Sequence, residues 1–167
     1  MLQSPEAAAA LVAHLEKESR AVAENWELND SAWERIARGA DNTLDWAALG
    51  YTLHAVYTSM ENYFLRIAKA FENDLPSESW HRELLDRMQL EIPGVRPALL
   101  DKETVRLIDE LRAFRHVFRT LYDERLDAER LALLQSRMPR VREEFARAHE
   151  TFVAKIVALT ESDTESD

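Results

Sequence analysis

Between Leu111 and Tyr122 the chain reads LRAFRHVFRTLY, twelve residues with three arginines, one histidine and no acid. On a helix Arg112, Arg115, Arg119 and Tyr122 fall within about 80° of one another, with His116 beside them. Phe114, Val117, Phe118 and Leu121 take the other side. Guanidinium groups stay protonated at working pH, and their planar fork matches phosphate oxygens, so such a stripe suits a phosphodiester ligand. A solvated helix face, its arginines paired with acids such as Asp123 or Glu124, has the same composition. Both readings stand at this level.

Other groups capable of chemistry are scattered. Glu78-Ser-Trp-His81 has the Glu-x-x-His spacing of di-metal bundles, but such a centre needs a second copy of the motif and two further glutamates. The motif has no twin, and His81 reads as a surface or capping residue. His54 lies near the apolar side of a long helical stretch and reads as a satisfied core histidine; His14 and His149 have no companions that suggest chemistry. The four tryptophans sit at helical spacing and read as core or interface. Cysteine is absent, which removes thiolate metal sites, iron–sulfur clusters and a cysteine nucleophile. Three glycines, Gly39, Gly50 and Gly94, are too few and too dispersed for a phosphate-cradling loop or a dinucleotide fingerprint. No metal and no cofactor are expected.

These residues must be held by something, and the pattern is helical throughout. With 167 residues, 46% hydrophobic and 31% charged, the chain suits one globular domain. Its net charge of −10 argues against coating nucleic acid or anionic lipid through the overall field, while leaving room for a local basic site. Residues 161–167 carry four of the acids and read as an acidic disordered tail behind a single helical domain over 1–160. No apolar stretch approaches the ~18 residues of a membrane span, and the start, MLQSPEAAAALVAHLEKE, lacks a basic leader pattern. A cytoplasmic location without membrane contact is expected.

Ser4 and Pro5 read as N-cap and first turn of a helix whose stripe begins with Leu11, Leu15 and Val22. Asn29-Asp30-Ser31 is expected to break or re-cap it, and Gly39 to end the stretch that follows. Asp41 or Asn42 then caps a long helix to about Leu75, with Leu44, Ala48, Tyr51, Ala55, Met60, Phe64, Ile67 and Phe71 on one broad face. Pro76 stops it, and Ser77 caps a shorter helix through Trp80, Leu84, Leu85 and Met88. The segment from Glu91 to Pro97 is a loop fixed by two prolines and a glycine. Asp101 caps a helix to about Tyr122. Asp127, or the turn before it, opens the last, which Pro139 should kink or split. The fold class is all-α: an up-and-down helical bundle with one shorter inserted helix. The aromatic surplus on the two long helices, with Tyr51, Tyr57, Tyr63 and Trp46 as candidates, suggests that it dimerises through them.

The stretch from Phe114 to Tyr122 resembles the signature helix of HEPN-domain ribonucleases: arginine, a polar residue, three variable positions, histidine, one residue, tyrosine. Gly50 to Glu72 resembles the HepT-like branch of that superfamily, as does WHRELLDRM (80–88) leading into IPGVRP (92–97). The likeness is detailed over residues 40 to 127 and holds in helix order along the whole chain. It implies a HEPN-like bundle and a toxin-type, metal-independent endoribonuclease acting on RNA, with tRNA the first candidate. It also implies a homodimer with a nucleotidyltransferase-type antitoxin as partner. By this likeness Arg115 is the catalytic arginine, His116 its following polar residue, and Arg112, Arg115 and Arg119 bind RNA phosphates. Tyr122 is the tyrosine that the antitoxin modifies with AMP. Position 120 departs from the pattern: Thr120 stands where the motif has histidine. A threonine hydroxyl does not exchange protons near neutrality, so either His116 substitutes from one turn earlier or the chain is weak or inactive. A non-catalytic HEPN scaffold that binds its nucleotidyltransferase partner, or RNA, is the alternative.

Overall fold

The computed structural model describes residues 4–71, 80–120 and 126–164. Among these, six helices follow one another: α1 (Pro5–Ala37), α2 (Thr43–Phe71), α3 (Trp80–Met88), α4 (Lys102–Thr120), α5 (Ala128–Gln135) and α6 (Met138–Thr164). α2 is the centre of the bundle, packed by α1, α3, α4 and α5, while α6 closes against α1 and α4. The all-α bundle is as expected, with a second short helix, α5, beside the anticipated α3.

Local chemistry explains the boundaries. Ser4 accepts a hydrogen bond from the Ala7 amide at 3.2 Å, and Pro5 occupies the first turn of α1. Gly39, at φ +99°, follows the end of that helix. Asn42 Oδ1 accepts from the amides of Leu44 and Asp45 at 2.9 and 3.0 Å to open α2. Arg35 then pairs with buried Asp45 at 2.9 Å and ties the end of α1 to the start of α2. Asp101 Oδ1 takes the Thr104 amide at 2.7 Å and starts α4, and Asp127 takes the Glu129 and Arg130 amides to start α5. The loop between α3 and α4 turns at Gly94, φ +72°, with a single bridge between Ile92 and Arg96. Buried Arg96 donates from its guanidinium to the Arg87 carbonyl at 2.8 Å and fastens this turn to α3. Pro139 sits in the first turn of α6, where a missing amide hydrogen costs nothing, and the expected split between α5 and α6 falls just before it.

Four expectations need correction. α1 does not break at Asn29: the helix is continuous because the Asn29 side chain is spent on tertiary partners instead of a cap. Its Nδ2 donates to Thr52 Oγ1 at 3.1 Å and to Gln135 Oε1 at 3.0 Å, and Gln135 Nε2 returns a bond to Asn29 Oδ1 at 3.0 Å. This buried amide pair stitches α1, α2 and α5 together, and its mutual satisfaction is what makes it tolerable in the interior. The expected face of α2 holds in its second half, where Met60, Phe64 and Ile67 are buried, and fails in the first. There Leu44, Ala48 and Tyr51 are exposed, and the core runs instead through Leu49, Leu53 and Val56. Tyr57 and Tyr63, proposed for an intermolecular face, are wholly buried inside the protomer. Finally, α6 continues to Thr164, four residues into the stretch expected to be disordered, since no glycine or proline intervenes. The expected Pro76 stop and Ser77 cap lie outside the described residues.

Candidate functional site

Tyr57 and Glu61 are four residues apart on α2, and His54 is one turn further back on the same side, so all three project from one stripe. That stripe meets α4 at Arg115 and Phe118, and the first turn of α3 closes over its end with His81. Gly50 permits the close approach. A Cβ at that position would stand 3.1 Å from both Phe118 and Leu126, so a bare backbone lets the last turns of α4 settle on α2.

Glu61 is the hub. Its side chain is only 4% exposed, and a carboxylate so far from water costs several kcal/mol unless it is compensated. Tyr57 donates its hydroxyl to Oε1 at 2.9 Å, and His81 Nδ1 meets the same oxygen at 2.5 Å. Arg115 brings its guanidinium to 3.8 Å from Oε2 and to 3.4 Å from His81 Nε2. A carboxylate oxygen can only accept, so the shared geometry puts a proton on His81 Nδ1 and leaves Nε2 toward Arg115. Arg115 is 16% exposed, and its buried Nε has no hydrogen-bond partner. Burial, together with the charge of Glu61 and the bond to it, pushes the Tyr57 phenol well above the ordinary tyrosine value, so it remains a donor. His54 is half-buried against Phe118, their ring centroids 5.4 Å apart. Burial first, then the positive charges of Arg115 and Arg119, hold His54 below the usual imidazole value, against a smaller opposite pull from Glu61.

The arginines of the stripe are therefore not equivalent. Arg112 is half-buried and bonded to Asp109 on its own helix at 2.5 Å. Arg115 turns inward to the buried carboxylate, and Arg119 is exposed at the end of α4. His116 is exposed, one residue beyond Arg115. Thr120 closes α4, but its side chain and the whole of Tyr122 lie outside the described residues. Asp123 and Glu124, the acids named as alternative partners of the stripe, lie outside them as well.

Two readings of single histidines change. His81 is not a mere surface or capping residue, since it touches both Glu61 and Arg115; His54 borders the same cluster instead of resting in the core. Of these residues, only the i, i+4 placement of Tyr57 and Glu61 could have been read in advance, as a polar pair inside an apolar run. Among the described residues no three histidine, aspartate or glutamate side chains gather as a metal site requires. None of the described helices is long and apolar enough to cross a membrane.

A family model for HepT-like proteins matches residues 48–156, about two thirds of the chain. The chain belongs to the HepT-like family. No curated protein and no solved structure gives a match. The matched region of this HepT-like chain begins in the second turn of α2 and runs into α6, so it contains Tyr57, Glu61, His81 and Arg115 together. The whole of α1 contributes packing from outside the match.

Proposed function

We propose that this HepT-like protein is a toxin-type endoribonuclease that cleaves RNA without a metal, tRNA being the substrate class to test first. It acts as a homodimer and is neutralised by a nucleotidyltransferase-type antitoxin that attaches AMP to Tyr122. The observation that carries the reading is Arg115, which stands on the helix of the family motif with its guanidinium 3.8 Å from a buried carboxylate and 3.4 Å from an imidazole. A fixed, permanently charged fork suits a phosphodiester whose negative charge grows as an oxygen adds to phosphorus. Exposed Arg119, one turn on, extends the positive surface along the strand; Arg112, already bonded to Asp109, contributes a weaker field. The body's net charge of −10 limits nonspecific RNA binding and leaves attraction to the local basic site.

Thr120 favours a second reading, a HEPN scaffold that binds RNA or its nucleotidyltransferase partner without cutting. Incubation of the purified protein with total tRNA separates them. On the ribonuclease reading, cleavage occurs and Arg115→Ala loses it by a factor of about 10² or more. Arg115→Gln, which keeps a donor for Glu61, gives the same loss in a folded protein. Cleavage unchanged in a folded Arg115 variant removes the proposed site. If neither the protein nor its Thr120→His variant cuts tRNA, the scaffold reading holds.

A further inference from the structure

A ribonuclease of this kind needs a group that takes a proton from the attacking hydroxyl, and Thr120 has none that works near neutrality. The bundle supplies an imidazole from a different helix. We infer that His81, seated between buried Glu61 and Arg115, is the proton-transferring catalytic residue of this site; the inference rests on the ribonuclease reading above. His81 Nδ1 is bound to Glu61 Oε1 at 2.5 Å, and Nε2 faces Arg115 Nη1 at 3.4 Å. A carboxylate on one nitrogen of an imidazole fixes its tautomer and ring orientation and stabilises the cation formed when the other nitrogen takes a proton. Glu61 is a positioning residue in this arrangement, and Tyr57 holds it by donating to the same oxygen. The His81 side chain is 27% exposed while Glu61 is 4% exposed, so the imidazole is the member of the pair that a substrate can reach.

In the reaction, Arg115 exchanges its contact with Nε2 for a phosphate oxygen, which frees Nε2 beside the bound phosphodiester. Nε2 takes the proton of the ribose 2′-hydroxyl as that oxygen bonds to the adjacent phosphorus. The bond from phosphorus to the 5′-oxygen breaks, and the leaving oxygen takes a proton from water. The products are a 2′,3′-cyclic phosphate and a 5′-hydroxyl end. The imidazolium then releases its proton to solvent, so the cycle consumes no oxidant, reductant or metal.

The test uses the full chain with total tRNA, following both cleavage and RNA affinity. His81→Ala should slow cleavage about 10²–10⁴-fold while RNA affinity stays within a few-fold, and free imidazole in the buffer should restore part of the rate. His81→Gln, which can still donate to Glu61, repeats the loss if the alanine variant folds poorly. Glu61→Gln should lower turnover without rescue by imidazole. Full activity in both His81 variants, with Arg115→Gln inactive, overturns the role of His81 and leaves the ribonuclease reading intact. An inert parent protein that becomes active as Thr120→His does the same. A parent and a Thr120→His variant that are both inert overturn the two together.

Discussion

Desolvating Glu61 is worthwhile only as part of a group, because its hydroxyl, imidazole and guanidinium partners each offset a share of the cost of burial. The cationic side of that group leaves a mark on His54, whose imidazole is held below its ordinary value by burial, then by Arg115 and Arg119. The folded protein therefore binds fewer protons at His54 than the unfolded chain as pH falls through the ordinary imidazole value of about 6.5. The stability contributed by neutral His54 is complete above that pH and is lost progressively on acidification, down to the lowered folded value. Thermal melts between about pH 7.5 and 5, a window that spans the ordinary imidazole value, should fall less steeply for His54→Gln than for the parent. Arg115→Gln should raise the titration midpoint of His54 in an NMR experiment. Parallel melting curves for the parent and His54→Gln would remove the linkage.

For the helices, position depends on a few close approaches more than on propensity. Gly50 lies inside α2, where alanine would ordinarily favour the helix by ~1 kcal/mol. Its missing Cβ, however, is the space into which Phe118 and Leu126 settle, at 3.1 Å from where that atom would be. Overpacking of this kind costs ~1–3 kcal/mol, so the packing cost should equal or exceed the propensity gain. Gly50→Ala is expected to lower Tm by up to about 8 °C, since ~1 kcal/mol corresponds to ~2–4 °C at this size. Adding Phe118→Leu should recover part of the loss through the shared contact. A Tm above that of the parent would show that the end of α4 gives way freely, and with it that Gly50 does not set the distance between α2 and the arginine helix.

On the scale of the whole molecule, the proposed homodimer has to use surface that the protomer leaves uncovered. Tyr57 and Tyr63 are spent in the core, but Leu44, Ala48 and Tyr51 recur at i, i+4 and i+7 on α2, with Leu44 79% and Tyr51 61% exposed. An apolar stripe of this sort is costly to leave in water and suits a second copy of the same helix. Sedimentation at micromolar concentration should give a dimer, and Tyr51→Glu together with Leu44→Glu should shift it toward monomer without lowering the protomer's helicity. A parent that sediments as a monomer at that concentration sinks the dimer.

What the sequence determined by itself is what depends on neighbours along the chain. Caps at Ser4, Asn42, Asp101 and Asp127, the glycine after α1 and the proline that opens α6 all act within a turn, so the order of helices could be read directly. The core of α5 and α6, Leu131, Leu134, Met138, Val141, Phe145, Phe152 and Ile156, is buried as its periodicity implied. The arginine helix and its family likeness were legible for the same reason, since a motif is a local spacing. Tertiary structure alone decided which side of α2 faces inward, because that helix is packed by four others and its pattern is apolar on more than one face. It alone diverted Asn29 from a helix cap to a partner 106 residues away, and it alone joined His81 to Glu61, 20 residues apart, and to Arg115, 34 residues apart. Local spacing carries no information about such meetings; they follow from how three helices share one buried charge.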